Sequence, residues 1–338
     1  MGAKFQYFNL NYTTLALIVE TVSGQRYGAF VRERIFEPLG MRDSYGGYEE
    51  AAGLAQGHSK LFGFPVSRDV PPYRYLLGAG HVVSTAPDLA RLAIAMANRG
   101  AHGDGRILSP RSVEIMHSVS PTEDSGYGMG WTVGKPRGEM VGGHDGGDPA
   151  FMGQLWLLPD HDRGYTLLMN QEHLIDTMTV LPQLKDGILD LLMGRPAPEG
   201  GVSVRLLGAM TLAIFLVTVA LAIRSLIRLR GWSRRARTAT TRQLARAILP
   251  RFASPVLIVV AVCELTPLLL GQGFNVGWAG RYYLPDVLLL LVVATVPDLL
   301  QGLYMLGAAV AQRRSRALSR GGLVTPCPRG RRVGGGRS

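Results

Sequence analysis

Gly142-Gly143-His144-Asp145-Gly146-Gly147 sets one imidazole and one carboxylate among four glycines. Alone it reads as a loop histidine ahead of a Gly-Gly turn. Its meaning comes from the blocks that precede it in order. These are Phe5-Gln6-Tyr7-Phe8-Asn9-Leu10-Asn11-Tyr12, Arg34-Ile35-Phe36-Glu37-Pro38-Leu39-Gly40-Met41, Gly78-Ala79-Gly80-His81-Val82-Val83-Ser84-Thr85-Ala86-Pro87-Asp88-Leu89 and Gly128-Met129-Gly130-Trp131. Around the blocks the chain reads as α+β. Residues 12–23 carry Leu15, Ile18, Val19 and Val22 at helical spacing and stop at Gly24. Residues 27–36 read as a second helix, ended by Pro38 and Gly40. Residues 86–98 read as a third, with Thr85 as N-cap, Pro87 in the first turn and Gly100 past the end. Residues 130–133, 151–158 and 165–170 read as strands, the last two joined by a hairpin loop at 159–164. Residues 173–193 then predict a closing helix over that sheet.

Working outward, the charge is segregated. Residues 1–202 hold 17 Lys+Arg against 22 Asp+Glu, a net of −5, whereas 203–338 hold 19 against 3, a net of +16, with every cation an arginine. Those arginines alternate with long apolar runs, which points to a membrane surface and away from nucleic acid. Residues 206–223 contain no charge and lie between Arg205 and Arg224. Eighteen residues of helix span about 27 Å, close to the thickness of a bilayer's hydrocarbon core. Residues 252–270, interrupted by Glu264, and 287–311, interrupted by Asp298, make two further runs, and three transmembrane helices are expected. Nine arginines and no acid in 224–251, and eight and none in 312–338, place both segments in the cytoplasm by the positive-inside rule. Residues 1–202 then lie outside it, in a multi-pass protein of the cell membrane. The expected organisation is a domain over 1–194, a linker over 195–204, a membrane domain over 205–311 and a disordered basic tail over 312–338, resting on anionic lipid. Glu264 and Asp298 are expected to be protonated or bonded within the bundle. Cys263 and Cys327 have no metal-type spacing, and residues 1–202 have no thiol.

The five blocks resemble, in order, those of class C β-lactamases, D-alanyl-D-alanine carboxypeptidases and penicillin-binding serine esterases. The likeness covers residues 2–193, the C-terminal part of such a domain, and implies an α+β fold with an antiparallel sheet and helices. Acyl transfer to serine needs a base for the hydroxyl, a positive environment for the oxyanion and donors that hold the substrate. The resemblance implies that Tyr7 is the base, acidified by a nearby lysine. It implies that His144 stands where the family has a lysine, on the strand edging the cleft. By the same resemblance Asn9 bonds the substrate's amide, and Gly146 leaves room for substrate along the strand. No metal or cofactor is implied. The remaining histidines, at 58, 81, 102, 117, 161 and 173, read as surface or loop residues.

Two features depart from the pattern. Phe8 fills the middle of Tyr-x-Asn, where a small residue is usual, either crowding the cleft or pointing into the core. The family's first motif, Ser-x-x-Lys, occurs nowhere in the 338 residues. The expectation is therefore an N-terminally truncated domain of a membrane-anchored serine hydrolase, inactive alone. Its substrates would be D-alanyl peptides, β-lactams or esters, either small molecules or cell-wall peptides. The alternative is a non-catalytic membrane protein that binds or senses through a degenerate penicillin-binding cleft. Protein partners are left open.

Overall fold

A computed structural model describes residues 5–69, 77–119, 126–270 and 280–321. The chain divides into two compact units, one of residues 1–210 and 278–286, the other of 211–277 and 287–338.

In the first unit, helix α1 (Asn9–Ser23) begins three residues earlier than the periodicity predicts, with Phe8 extended ahead of it, and closes on left-handed Gly24. Of the predicted stops at Pro38 and Gly40, the helix passes the first and ends at the second. After α2 (Tyr27–Val31) the helix widens into a π turn at Arg32–Phe36 and continues as α3 (Glu37–Leu39) to left-handed Gly40. The widened turn carries Glu37 N–H to Arg32 O, and Pro38, which has no N–H to place, falls within the last short turn. Helix α4 (Ala86–Ala97) starts as its sequence predicts: Thr85 accepts a bond from the Asp88 N–H.

A small sheet joins β1 (His58–Leu61) to β2 (Phe64–Ser67), and two strands, β3 (Ala101–His102) and β4 (Gly105–Arg106), form a hairpin ahead of α5 (Pro110–Met116). The main sheet is antiparallel: β5 (Thr132–Gly134), β6 (Val141–Asp148), β7 (Phe151–Leu158) and β8 (Arg163–Met169), in that spatial order. Gly130, predicted to open β5, instead has φ 77 in the turn before it. Strand alternation sorts β7 between two cores. Trp156 and Leu158 pack with Val141 and Leu189 of the closing helix α6 (Leu174–Leu192). Leu157, on the other face, packs with Ala93, Met96, Val113 and Trp131. Short β9 (Gln171–Glu172) pairs in parallel with β1 and leads into α6.

Gly143 sits opposite Trp156, and a Cβ there would lie 2.2 Å from Leu155 O and 2.6 Å from Trp156 Cδ2. Neither atom can yield without opening the β6–β7 pairing. Gly143→Ala is expected to cost about 2–3 kcal/mol, as overpacking of a tight core does. Thermal unfolding checks this, and an unchanged midpoint would show that the strands slide without cost.

The second unit is helical. Three helices are long and apolar enough to cross a membrane: Val204–Leu229, Thr241–Glu264 and Pro285–Arg316. They belong to α7 (Val204–Leu229), α9 (Thr241–Leu270) and α10 (Pro285–Gly321), with α8 (Trp232–Thr238) after the first. Trp232 and Ala236 of α8 pack with Leu244, Ile248, Met305 and Ala309, and Trp232 Nε1 donates to Met305 O. One expectation changes here, and a second, that Asp298 is protonated or bonded within the bundle, is met by a bond. The segment 312–321, assigned to a disordered tail, continues α10, in keeping with the helix-favouring Gln, Arg, Ala and Leu it contains; residues 322–338 lie outside the described residues. Asp298 bonds to Arg251, a cation the apolar-run reading left at the flank, while Glu264 is exposed on α9.

Candidate active site

The site is built on β6. Its alternation puts Val141, Gly143 and Asp145 toward α6 and His144 and Gly146 on the opposite face. Asp145 is held on its side by Trp156 Nε1 at 2.7 Å, Gln154 Nε2 at 3.0 Å and Lys185 Nζ at 3.5 Å. Lys185 lies over the Trp156 ring, 4.4 Å from its centroid. This anchor fixes the strand's register and turns Asp145 away from His144, so the two do not share a ligand set. Among the described residues no group of three or more His, Cys, Asp or Glu could hold a metal ion.

β5 pairs with β6 only at Val141, Gly142 and Gly143. From His144 to Asp148 the outer edge of β6 has no strand partner among the described residues. Its free N–H and C=O groups can pair with an extended ligand. A Cβ on Gly146 would meet only Gly153 O, at 3.9 Å. Unlike Gly143, then, Gly146 is not required by packing. What its missing side chain provides is open space beside the free edge.

His144 Nε2 lies 3.1 Å from the Tyr127 phenol oxygen. Tyr127 is placed by its bridge to Thr132 and by the tight turn after it, where Gly128 N–H donates to Trp131 O. The Tyr12 hydroxyl stands 3.4 Å from that of Tyr127. Tyr7, at 48 % exposure, sets its ring edge-on to that of Tyr127, centroids 5.8 Å apart, and 6.3 Å from the His144 ring. Residues from the chain start and from mid-sheet thus converge on one phenol. Burial pushes the Tyr7 phenol above its ordinary value, Tyr12 adds to that, and the bond from Tyr127 pulls it down. The acidified phenol expected from the resemblance is not present in these residues. Burial, with Tyr12 and Tyr7, pushes Tyr127 up as well, so it stays a neutral phenol. Asn9 is exposed in the first turn of α1, and Phe8 is 53 % exposed, so its ring does not point into the core.

Sequence reading missed Tyr127, although it directly precedes the Gly128-Met129-Gly130-Trp131 block. It also missed a buried cluster at the far end of β6. Asp148 accepts a 2.9 Å bond from the Tyr48 hydroxyl, and His81 Nε2 is 3.5 Å from the same oxygen. His81, read as a surface or loop residue, does lie in a left-handed turn (φ 68) but is buried there. Desolvation holds its imidazole below its ordinary value and raises the Asp148 carboxyl. Glu172, 1 % exposed, accepts from Thr177; burial first, with Asp176 and Asp148 nearby, pushes it up to about 7. Lys60 and Asp176 form a buried ion pair beside it. His173 is also buried, its Nε2 3.2 Å from Asp286 Oδ1.

Comparison with known proteins gives these features a context. The family model described as Beta-lactamase matches residues 1–188. An unguisins hydrolase of Aspergillus campestris is 31% identical over 169 residues, 46% of this chain and 31% of that protein. Penicillin-binding protein 4 of Amycolatopsis lactamdurans is 30% identical over 177 residues, 48% of this chain and 46% of that one. The chain spans less than half the length of these relatives. Among solved structures, the octameric penicillin-binding protein homologue from Pyrococcus abyssi is 26% identical, with a TM-score of 0.49, over 63% of this chain and 47% of that one.

Proposed function

Because this chain belongs to the Beta-lactamase family, we propose that it is the C-terminal part of a membrane-anchored acyl-serine hydrolase whose Ser-x-x-Lys segment lies outside these 338 residues. The observation that carries the reading is the convergence of Tyr7 and His144 on Tyr127 beside the edge of β6 that has no strand partner among the described residues. In this reading the serine hydroxyl attacks the acyl carbon and passes its proton to the Tyr7 phenolate, and a lysine ammonium alongside holds that phenol ionised against the effect of burial. His144 lends a donor to the substrate, Asn9 bonds its amide, and the acyl chain extends past Gly146 along β6. The substrates are D-alanyl peptides, β-lactams or esters. Three helices able to cross a membrane, with nine arginines and no acid in residues 224–251, support a domain held on the outer side of the cell membrane and arginine-rich segments on the inner.

The test is intact mass and N-terminal sequencing of the protein from native membranes, with labelling by a fluorescent penicillin. A longer chain that carries Ser-x-x-Lys and takes the label is the expected result. One observation favours a second reading, a non-catalytic binding or sensing protein: no Ser-x-x-Lys is present in this sequence. A native chain that starts at Met1 and takes no label would establish that reading in place of the first.

A further inference from the structure

We infer that Asp286 and the Tyr283 carbonyl are positioning groups for β6: residues 280–286 hold the first turn of α6, and α6 in turn holds the strand that carries His144. The inference rests on the reading of β6 as the reacting strand of the cleft.

Residues 278–286 belong to the first unit, although they lie far along the chain from the rest of it. Two bonds tie them to the start of α6. The Leu174 N–H donates to Tyr283 O at 3.1 Å. One position earlier, His173 Nε2 lies 3.2 Å from Asp286 Oδ1, and both side chains are buried. Arg68 adds a third contact, its guanidinium 5.8 Å from the centre of the Tyr282 ring. The need for these contacts is physical. The first N–H groups of a helix have no partner within it, and burial makes an unpaired one costly. The N-cap residue of α6, His173, is extended at φ −155 and makes no capping bond with its side chain. The acceptor for Leu174 comes instead from Tyr283.

Helix α6 passes this restraint to β6. Lys185 Nζ is 3.5 Å from Asp145 Oδ2 and lies over the Trp156 ring, while Leu189 packs with Val141 and Trp156. Asp145 also takes the Trp156 indole N–H at 2.7 Å, and it is the neighbour of His144 in β6. Lys185 lies about three turns beyond Leu174, so a slip of the helix start along its axis carries the ammonium with it. At 3.5 Å that contact is already long, and a small slip loses it. The segment that fixes α6 also opens α10, which begins at Pro285.

The experiment uses the full chain in detergent micelles, with two readouts. Amide hydrogen exchange reports the first turn of α6, and the Trp156 indole N–H signal in 15N NMR reports the bond to Asp145. That signal is assigned among four tryptophans by its loss in Trp156→Phe. Asp286→Ala is expected to speed exchange over residues 175–177 about 10- to 100-fold, as the loss of one partner of a buried bond does, and to shift the Trp156 signal. Asp286→Asn keeps an oxygen facing His173 and is expected to restore both. Leu174→Pro is milder. Proline suits the first position of a helix and His173 before it is already extended, so the fold is kept while the donor to Tyr283 is removed. It is expected to shift the Trp156 signal in the same direction, and it decides the matter should Asp286→Ala unfold the domain. Faster exchange in α6 with an unmoved Trp156 signal would overturn the inference, because the segment would then cap the helix and nothing more. Unchanged exchange in Asp286→Ala, or a shift in Asp286→Asn as large as in Asp286→Ala, would overturn it too. Both readouts are independent of acylation. Failure of penicillin labelling in the form with Ser-x-x-Lys defeats the functional reading, whereas an unmoved Trp156 signal with labelling intact defeats this inference alone.

Discussion

Raising the pH from about 5 to about 8 is expected to destabilise the domain that carries β6, and Glu172→Gln is expected to remove most of that loss. The Glu172 carboxyl has an ordinary value of 4.5 and is pushed up to about 7 in the fold. Between those values the native protein holds a proton that the unfolded chain has released. The stabilisation is fully present below the unfolded value and is lost as pH rises through the folded one. Its size follows from the gap, about 3 kcal/mol at most. Asp148, also raised, contributes in the same direction. His81 opposes them, because an imidazole held below its ordinary value gains stability as pH rises. Glutamine keeps the oxygen that accepts from Thr177 and cannot ionise, so Glu172→Gln isolates the one carboxyl. Thermal unfolding of the full chain, followed by tryptophan fluorescence at several pH values, provides the measurement. If the variant's midpoint falls with pH as steeply as wild type's, Glu172 is not the titrating group.

That cluster marks where the sequence stops being legible. His81, Asp148, Glu172 and Lys60 come from four separate segments, and no local period announces that a turn, the end of one strand and the start of another will bury them together. What the sequence announces well is local. Thr85 before Ala86-Pro87 predicts an N-cap, and Thr85 does accept from the Asp88 N–H. The run at 151–158 is apolar at nearly every position because β7 is covered on both faces. β6 is harder, since a glycine-rich run has weak strand propensity and reads as a turn. Only the ordered blocks identified it as a strand. What holds that strand, three hydrogen bonds donated to Asp145 by Trp156, Gln154 and Lys185, lies partly on a helix forty residues on. Pro38 misled for a different reason. A proline stops a helix of ordinary pitch, and a π turn before it removes the conflict.

The site shows the same division. Tyr7, Asn9, His144 and Gly146 follow from motif order, yet the group on which Tyr7 and His144 meet does not. Tyr127 is one of twelve tyrosines, and only the bridge to Thr132 brings its hydroxyl to His144. Gly146 and Gly143 look equivalent in sequence and are opposites in space, one beside open volume and the other pressed against Leu155 and Trp156.

In the form that carries Ser-x-x-Lys, Tyr7→Phe is expected to slow acylation by fluorescent penicillin about 100- to 10,000-fold, the range a positioned base contributes. The phenol's hydroxyl is the part at stake. Tyr7 is about half exposed, and its ring contacts with Tyr127 survive in phenylalanine, so the unfolding midpoint should scarcely move. Burial works against an ionised Tyr7 and the Tyr127 bond works for it, with burial the larger effect. Ionisation therefore needs a cation. Among the lysines placed in this domain, Lys60 is paired with Asp176 and Lys185 lies over Trp156 on the α6 side of the sheet. In the proposed reading that cation is the lysine of the Ser-x-x-Lys segment. It follows that Lys→Ala in that segment should lower acylation as far as Tyr7→Phe does. It also follows that the double variant should be little worse than either alone, because both changes remove one ionised phenol. Acylation rates for the two single variants and the double variant decide the matter. Fully multiplicative losses would mean that the lysine acts on the serine directly and that Tyr7 is not the group it ionises.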